Sequence, residues 1–378
     1  MQRQASWAQV SFLALKPSAC DMLDNSQPAT AESASTSMKH LLDMTPAQLT
    51  DAMTQMGQKA FRARQILSWI FGRGVCDFEK MSDLSAELRA DLAKEFAILT
   101  GQVVSRSDSS DGVSKLLLQW PDGQSVETVL IPADKRACAC VSTQVGCSLE
   151  CTFCASGQGG LVRNLTAGEI IEQIVQLQLA AGQKITHVVF MGMGEPLANY
   201  DATVAAIRAI VDPDRMGISA RRVTVSTVGL PRQIRKLARE DLPVTLAISL
   251  HAPSDALRRR IMPKASSSID EIVAAANEFF QARKREVTLE YILLEGVNDT
   301  NVCSEALARI AHQLRCNVNL IRYNPVSSAT YAAPSQAAVK MFAQRLQRRG
   351  VNVQVRRSKG GQADAACGQL RQRLENSR

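Results

Sequence analysis

Aromatic residues are scarce in this sequence, at 4% of its 378 residues. Few aromatic side chains means few flat surfaces on which nucleic-acid bases could stack. Long apolar runs are also missing, and no run reaches the roughly 20 residues that a membrane-spanning helix needs. The short apolar segment 10–15 has polar flanks and no small-residue cleavage site after it, so we expect no signal peptide. These absences favour a cytoplasmic protein that does not contact membranes.

Positive charge is in excess, and the formal net charge is +8 at pH 7. A surplus of this kind favours a polyanionic partner. Hydrophobic residues make up 46% of the chain, which is enough for a sizeable core, and the length allows one large domain with one or two small ones. Residues 1–37 lack periodicity and are rich in Ser, Ala and Gln, which predicts a disordered extension.

Residues 38–100 carry the pattern of a small helical domain. Thr45 and Gln48 can form a capping box with a proline at the first helical position, and apolar residues then recur at helical spacing. Residues 101–135 change to strand-like segments separated by Asp-Gly and Pro-Asp-Gly turn signals, which predicts an antiparallel meander. Glu127 lies in the last of these strands, where the pattern alone favours the solvent-exposed face.

Strands and helices alternate regularly across residues 136–358. This order predicts a parallel sheet covered by helices. The span is somewhat short for an eight-unit barrel, which typically takes about 250 residues, so an open barrel of six strand–helix units, (β/α)6, fits better. Residues 359–378 are predicted to form a C-terminal loop and tail. Cys367 lies in that loop between glycines, which is typical of a mobile, exposed segment.

Five of the ten cysteines fall between residues 138 and 154. Cys147, Cys151 and Cys154 follow the spacing C-x3-C-x2-C, and no fourth cysteine with matching spacing follows them in the sequence. A zinc ribbon or an all-cysteine iron–sulfur site would need a fourth ligand close by. Three ligands leave one coordination position open, which is typical of a centre that performs chemistry. A structural zinc site with three cysteines is the alternative interpretation.

Polar motifs recur where the predicted parallel strands end, and the working residues of parallel α/β folds lie at these carboxyl ends. We expect the motifs to face the cysteine loop. Their residues are Gly194 and Glu195 after the second strand, Ser226 after the third, Ser249, Leu250 and His251 after the fourth, and Asn324 after the sixth. Glycine allows the backbone to approach a ligand closely, and Glu195 could accept a hydrogen bond from an amino group.

The cysteine spacing, with Phe153 before the last cysteine, resembles that of the radical S-adenosylmethionine (SAM) superfamily. The whole set of motifs is similar to a narrower family, the bacterial RNA methyltransferases that act on C2 of adenine. The similar motifs are Met-Gly-Met-Gly-Glu-Pro at 191–196, Ser-Thr-Val-Gly at 226–229, Ser-Leu-His-Ala at 249–252, Arg-Tyr-Asn-Pro at 322–325 and Asp-Ala-Ala-Cys-Gly-Gln-Leu at 364–370. The resemblance spans about residues 38–370.

The resemblance implies an α/β fold with an open (β/α)6 radical SAM barrel. It implies a [4Fe–4S] cluster held by Cys147, Cys151 and Cys154, with SAM bound at the iron that no cysteine holds. Gly194 and Glu195 match the motif with which the superfamily holds the amino group of SAM. We expect the other residues at the strand ends to contact SAM as well, namely Ser226, Ser249, Leu250, His251 and Asn324. The implied substrates are an adenine of 23S ribosomal RNA in the peptidyl-transferase centre and the adenosine next to the anticodon of transfer RNA. We also expect a monomer that receives electrons from a donor such as flavodoxin.

In the resembled family, a first SAM methylates a cysteine, and a second SAM is cleaved to a radical that takes hydrogen from the methylated cysteine. The carbon radical then adds to C2, which is too electron-poor to attack SAM itself. A second cysteine forms a disulfide with the first and releases the product. The methyl-carrying cysteine matches Cys367, the resolving cysteine matches Cys140, and the proton acceptor matches Glu127. This match replaces the solvent-exposed interpretation of Glu127.

Three alternatives remain open. Cys138 lies two residues before Cys140, so both side chains share one face of a strand, and only the motif register favours Cys140. A methyltransferase that acts on C8 of the same adenine would use the same cysteines. A zinc-stabilised RNA-binding protein without catalysis would also account for the cysteines and the charge.

RNA binding would use the positive surplus. Because aromatic residues are few, we expect recognition by shape and backbone, with one adenine extruded toward the cluster. The candidate phosphate contacts are Arg221, Arg222, Arg258, Arg259, Arg260, Arg283, Lys284, Arg285, Arg356, Arg357 and Lys359.

Overall fold

The computed structural model of this protein describes residues 38–134, 136–326, 329–356, 360 and 365–370, which belong to one compact unit. The predicted extension at 1–37 and the candidate phosphate contacts Arg357 and Lys359 lie outside the described residues. The domain boundaries near residues 100, 135 and 358 stay predictions.

The first described segment is helical, as the sequence predicts. Its helices are α1 (Pro46–Gln55), α2 (Phe61–Leu67) and α3 (Ala86–Glu95). The Thr45 hydroxyl accepts a hydrogen bond from the Gln48 amide at 3.2 Å, and the Gln48 side chain accepts one from the Thr45 amide at 2.8 Å. This capping box confirms the predicted start of the first helix. The short strands β1 (Lys39–His40) and β2 (Phe96–Ala97) pair in parallel and join the two ends of the segment.

Most of the remaining strands form one mixed sheet. In chain order they are β3 (Gln102–Asp108), β4 (Ser114–Gln119), β5 (Ser125–Ala133), β6 (Arg136–Cys140), β7 (Gln144–Gly146), β8 (Leu161–Asn164), β9 (His187–Phe190), β10 (Val223–Thr227), β11 (Thr245–Ser249), β12 (Val287–Leu293), β13 (Cys316–Arg322) and β14 (Val353–Arg356). All except β7 and β8, which form a separate hairpin, belong to the sheet. The strands from β3 to β6 pair antiparallel, and those from β6 onward are parallel.

Helices connect the parallel strands. They are α4 (Ala167–Ala181), α5 (Tyr200–Val211), α6 (Pro231–Arg239), α7 (Asp255–Ile261), α8 (Ile269–Arg283), α9 (Asn301–Ala311) and α10 (Gln336–Arg348). Each parallel strand before β14 is followed by at least one of them, which confirms six strand–helix units. Among the described strands the sheet runs from β14 at one edge to β3 at the other without closing, so the barrel is open as predicted.

The N-terminal helical segment docks on helix α4 through a buried carboxylate. Glu172, which is inaccessible to solvent, accepts hydrogen bonds from the backbone amides of Thr100 at 3.1 Å and Gly101 at 2.8 Å. His40 Nε2 lies 3.4 Å from the same carboxylate. Apolar residues of this segment and of the barrel share one hydrophobic core. The helical segment is therefore fixed against the barrel by both polar and apolar contacts.

Several short elements of the structure, among them β1 and β2, are not predicted by the sequence patterns. The hairpin β7–β8 flanks the cysteine loop, and the seven-residue helix α7 follows β11. Both are too short for their periodicity to stand out. In the part of the chain that the structure describes, no helix has the length and apolarity needed to cross a bilayer.

Candidate active site

A cavity opens at the carboxyl ends of the parallel strands. Its empty space, counted out into the open solvent at the mouth, is about 880 Å³. The residues that line it include Cys147, Cys151 and Cys154, which we call the cluster cysteines, together with Glu195 and Cys367. The fold therefore brings the predicted cysteine loop, the predicted SAM motif and the C-terminal cysteine to one place.

The cysteine loop is held by tight backbone contacts. The Cys147 amide donates to the Gly160 carbonyl at 2.8 Å across the β7–β8 hairpin, and the Cys154 amide donates to the Cys151 carbonyl at 3.0 Å. Gly157 packs so closely that a Cβ there would lie 3.0 Å from the Cys151 nitrogen. An apolar cluster that includes Phe153 packs against Cys151 and Cys154 of the loop. These contacts fix the positions of the three sulfurs.

The cluster cysteines fit a [4Fe–4S] cluster. Burial raises the pKa of Cys147 to about 11 and also raises the pKa of Cys151 and Cys154, and charge on the neighbouring thiols adds to the rise at all three. Three thiolates so close together require a compensating cation, and thiolate is the ligand that iron–sulfur clusters use. No three His, Cys, Asp or Glu side chains among the described residues are arranged to hold a single ion. All three cysteines line the cavity, and a four-iron cluster needs one thiolate for each of three irons rather than three ligands on one ion.

The Gly194-Glu195 motif lies beside the cysteine loop, since the Gly194 backbone forms a hydrogen bond with the Cys147 thiol. Gly194 has a φ of +94°, and a Cβ there would lie 2.5 Å from the Gln144 side chain, so only glycine fits. The Glu195 carboxylate accepts hydrogen bonds from the backbone amides of Val228 at 2.7 Å and Leu197 at 3.0 Å. Burial raises the pKa of Glu195 to about 7. The Thr227 hydroxyl is a third hydrogen-bond partner. Glu195 thus connects two strand ends, and its carboxylate keeps about one of its four acceptor positions for a ligand.

The other predicted SAM contacts divide into two groups. Ser226 and Ser249, whose hydroxyls are 3.2 Å apart, line the cavity together with His251. Burial lowers the pKa of His251 to about 3, and its Nδ1 accepts a hydrogen bond from the Ile292 amide. Leu250 and Asn324 are not among the described residues that line the cavity. All of these contacts stay predictions.

Cys367 lies at the cavity although its loop follows the last strand. Asn324 Nδ2 donates to the Cys367 carbonyl at 3.3 Å, and the Ala155 amide donates to the Gly368 carbonyl at 2.8 Å. The Ser156 hydroxyl donates to the Leu370 carbonyl at 2.5 Å. The loop therefore docks on the residues that directly follow Cys154. This position brings the thiol next to the cluster cysteines.

Cys140 and Cys138 both lie near Cys367. Burial raises the pKa of Cys138 to about 11 and raises the pKa of Cys140 further, and the charge of Cys367 adds to both shifts. Cys140 is 6% exposed, whereas Cys138 is half-buried. The arrangement is compatible with either cysteine as the partner of Cys367, so the choice of Cys140 stays a prediction.

Glu127 is buried, and the solvent-exposed position favoured by the strand pattern is wrong. Its carboxylate forms an ion pair with Lys115 at 2.8 Å, and the exposed fraction of its side chain is 3%. Strand β5 is covered on both faces, which alternation within the strand could not reveal. Glu127 is not among the described residues that line the cavity. It lies just behind the wall, because its carbonyl accepts a hydrogen bond from Ser142, and a Cβ on the lining residue Gly192 would touch the same serine.

Several candidate phosphate contacts are placed away from the cavity mouth. Arg258 is 1% exposed and donates to the Val228 and Ser267 carbonyls, so it is not available to RNA phosphate. Others lie at the amino ends of β10 and β12, whereas the mouth is at the carboxyl ends of the strands. They are Arg221, Arg222, Arg283, Lys284 and Arg285. Arg259 and Arg260 on α7 remain exposed beside the cysteine loop.

Two charged residues that line the cavity are not identified as site residues by the sequence patterns. Arg356, which the sequence analysis treats as a candidate phosphate contact, lines the cavity. Glu290 lines it from strand β12. A signal for Glu290 existed, because it is a lone acid inside the apolar strand Val287–Leu293. Nothing in the sequence indicates that Arg356 turns inward.

Comparisons with known proteins agree with this geometry. The family model of the radical SAM superfamily matches residues 141–304, and that of the ribosomal RNA large subunit methyltransferase N-terminal domain matches residues 39–98. The chain is 45% identical over 344 residues to a protein of Rhodopirellula baltica named probable dual-specificity RNA methyltransferase RlmN, covering 90% of this chain and 93% of the relative.

Two further similarities extend across nearly the whole described chain. The dual-specificity RNA methyltransferase RlmN of Syntrophobacter fumaroxidans is 42% identical over 331 residues, covering 87% of this chain and 96% of the relative. The crystal structure of a radical SAM methyltransferase from Sphaerobacter thermophilus superimposes with a TM-score of 0.85 at 43% identity, covering 88% of this chain and 99% of that one.

Proposed function

Since the chain belongs to the RlmN family of radical SAM RNA methyltransferases, we propose that it methylates C2 of an adenine in 23S ribosomal RNA and of the adenosine next to the anticodon in transfer RNA. The enzyme is a SAM-dependent RNA methyltransferase with a radical mechanism, and its cofactors are a [4Fe–4S] cluster and SAM. Family membership argues against the alternative that this chain is a zinc-stabilised RNA-binding protein without catalysis.

The observation that supports the proposal most directly is the meeting of Cys367 with the cluster cysteines in one cavity. Carbon 2 of adenine lies between two ring nitrogens and is too electron-poor to act as a nucleophile. The methyl group must therefore reach C2 through a carrier that can hold it as a reactive carbon. A thiol beside the cluster, on a loop with glycine at Gly368, satisfies that requirement.

The residues of the chain have separate tasks in this chemistry. When bound, the cluster and SAM supply both the methyl group and a radical that abstracts hydrogen. Cys367 accepts the methyl group on its sulfur and presents the carbon to C2. The addition product would give up the C2 proton and one electron, which the bound cluster would take. The Cys140 thiolate would then attack the Cys367 sulfur, so that the disulfide forms as the bond between that sulfur and the transferred carbon breaks, and the released carbon would take up a proton to become the methyl group. Glu127 accepts the proton that C2 loses.

In vitro methylation tests the proposed positions. Anaerobically reconstituted protein would be incubated with SAM, a reductant, and either a 23S ribosomal RNA fragment of the peptidyl-transferase centre or unmodified transfer RNA. The RNA would then be digested and its nucleosides separated by mass spectrometry against authentic standards. We expect 2-methyladenosine in both RNAs. 8-Methyladenosine would instead support the C8 alternative, and a product in only one RNA would restrict the substrate range.

Three further properties are proposed from the family assignment. The enzyme acts as a monomer in the cytoplasm and receives its electrons from a flavodoxin-type donor. Light scattering coupled to gel filtration measures the oligomeric state. Replacing a chemical reductant by purified flavodoxin, its reductase and NADPH in the methylation assay tests the donor, and a lack of product under those conditions would exclude it.

A further inference from the structure

Two opposite charges face the cavity without forming an ion pair. Glu290 is 4% exposed; Asn319 donates to its Oε1 at 3.0 Å, and its Oε2 has no hydrogen-bond partner among the described residues. Arg356, the last residue of β14, lines the same cavity. The ion pairs within 4.0 Å that the described residues form do not include one between these two side chains. A buried carboxylate oxygen without a donor is unfavourable, so a ligand group is expected to supply one.

The strand register places both groups on the inner side of the barrel. Glu290 pairs with Ser249 on one side and with Asn319 on the other, and paired residues of parallel strands project to the same face. Arg356 Nη1 lies 3.6 Å from the sulfur of Met191, which follows β9. The guanidinium therefore reaches across the open side of the barrel. It lies near both Cys367 and Glu290, whose negative charges raise the pKa of Arg356, with Cys367 the larger cause.

This arrangement matches a ligand with a donor beside an acceptor. A carboxylate only accepts hydrogen bonds, and a guanidinium only donates them. The Watson–Crick edge of adenine presents the N6 amine as donor, the N1 nitrogen as acceptor, and then C2. An extruded base exposes this edge to the enzyme that acts on it.

We propose that Glu290 and Arg356 recognise the Watson–Crick edge of the target adenine, with Glu290 accepting from the N6 amine and Arg356 donating to N1. The inference rests on the proposed function at C2. N1 is bonded to C2, so a guanidinium at N1 holds C2 toward Cys367, the other neighbour of Arg356. A hydrogen bond at N1 also withdraws electrons from C2 and favours addition of a carbon radical there.

SAM also contains an adenine, and the experiment has to separate the two sources. The target adenine is favoured because Arg356 lies beside Cys367, the carrier that must meet C2. Equilibrium dialysis of SAM against the cluster-loaded protein measures recognition of the cofactor. Atomic substitution in the RNA measures recognition of the target.

The test combines protein variants with substituted RNA. Transfer RNAs assembled by ligation would carry adenine, purine (no N6 amine) or 1-deazaadenine (no N1) next to the anticodon. We expect wild-type kcat/KM to fall roughly 10- to 100-fold with either analogue, as for the loss of a hydrogen bond to a charged group. The kcat/KM of Glu290→Ala should fall by a similar factor with adenine, and it should not fall further when purine replaces adenine. Arg356→Ala should behave in the same way toward 1-deazaadenine, because each pair of changes removes one contact.

Matched controls guard against misfolding and intrinsic effects. Glu286→Gln removes an exposed carboxylate just before β12, and Arg348→Ala removes an exposed arginine on α10, so both should keep wild-type sensitivity to the analogues. Glu290→Gln preserves the side-chain shape and should show a smaller loss than Glu290→Ala. Iron and sulfide content should stay unchanged in every variant compared.

The outcomes are distinct. If the loss in kcat/KM from a protein variant and the loss from the RNA analogue multiply when the two changes are combined, the inference is wrong. A loss of SAM affinity in the variants, with unchanged sensitivity to the RNA analogues, would also overturn it. If wild-type protein forms 2-methyladenosine while the changes multiply, only the inference fails. If wild-type protein forms no 2-methyladenosine, the proposed function fails and the inference with it.

Discussion

Cys367 is the residue on which the proposed chemistry depends, and its position can be tested by a single substitution. Cys367→Ala removes the sulfur that carries the methyl group but leaves the cluster cysteines and Glu195 intact. We expect no methylated nucleoside in the RNA, while 5′-deoxyadenosine still forms from SAM, and liquid chromatography measures both. Cys303→Ala on α9 is the control and should retain activity. Methylated RNA from Cys367→Ala at the wild-type rate would contradict the carrier role.

Cys140 and Cys138 offer a direct comparison, because they lie two residues apart on the same strand. If Cys140 resolves the intermediate, Cys140→Ala leaves the RNA covalently attached to Cys367. We expect a protein–RNA adduct that survives denaturing electrophoresis and disappears in the Cys140→Ala/Cys367→Ala double variant. Cys138→Ala should give no adduct. An adduct from Cys138→Ala alone would assign the resolving role to Cys138, which also senses the charge of Cys367.

The site residues that the sequence could identify are those whose chemistry is visible in a short motif. The cluster cysteines and Gly194-Glu195 can be recognised by their spacing in the sequence, and all of them line one cavity. Glu127 and Glu290 could not be assigned by pattern, because each is a single acid within an apolar strand. Whether such an acid faces solvent or a cavity depends on which elements cover the strand, and that is decided by residues far away in the sequence.

At the scale of elements, the contact between helix α4 and the N-terminal segment depends on a glycine. The Gly168 amide donates to Asp43 at 2.6 Å, and a Cβ at this position would lie 2.6 Å from His40 Nδ1 and 2.8 Å from the Asp43 carboxyl carbon. Gly168→Ala should therefore lower the free energy of unfolding by about 1–3 kcal/mol through overpacking. Urea denaturation of the cluster-loaded protein under anaerobic conditions measures the change.

Gly72→Ala provides the control for this prediction. A Cβ at Gly72 would make an ordinary contact 3.5 Å from Ser68, and its φ is not positive. Alanine there should be neutral or slightly stabilising, since it reduces the freedom of the unfolded chain. Equal urea midpoints for the two variants would show that the segment does not depend on close packing at Gly168.

Long elements were predictable from the sequence, and short ones were not. Helix α4 combines a capping box at Thr166 and Glu169 with a long apolar face, and both features are visible in the sequence. Helix α7 has only seven residues, three of them arginines, so its apolar face is a single turn. Hairpin β7–β8 contains a register shift, which breaks the alternation that would reveal it. Both short elements contact the cysteine loop through backbone hydrogen bonds, from Cys147 to Gly160 and from Thr152 to Ile261.

At the scale of the whole molecule, the positive surplus is not spread evenly with respect to the cavity. Arg259 and Arg260 lie beside the mouth, since the Thr152 amide of the cysteine loop donates to the Ile261 carbonyl at the end of α7. Arg221 and Arg222 lie at the amino end of β10, at the opposite end of the strands from the mouth. The net charge of +8 attracts RNA from any direction. Only charges near the mouth can hold the RNA while an adenine enters the cavity.

The two arginine pairs therefore predict different effects on RNA binding. Each phosphate contact contributes to the salt dependence of affinity, with a slope of roughly 0.7–0.9 per contact in a plot of log affinity against log salt. The Arg259→Ala/Arg260→Ala variant should bind transfer RNA roughly tenfold more weakly and reduce that slope by about 1–2. The Arg221→Ala/Arg222→Ala variant removes the same charge and should change neither quantity. Filter binding at several salt concentrations measures both, and equal losses in the two variants would mean that net charge, not its placement at the mouth, governs RNA binding.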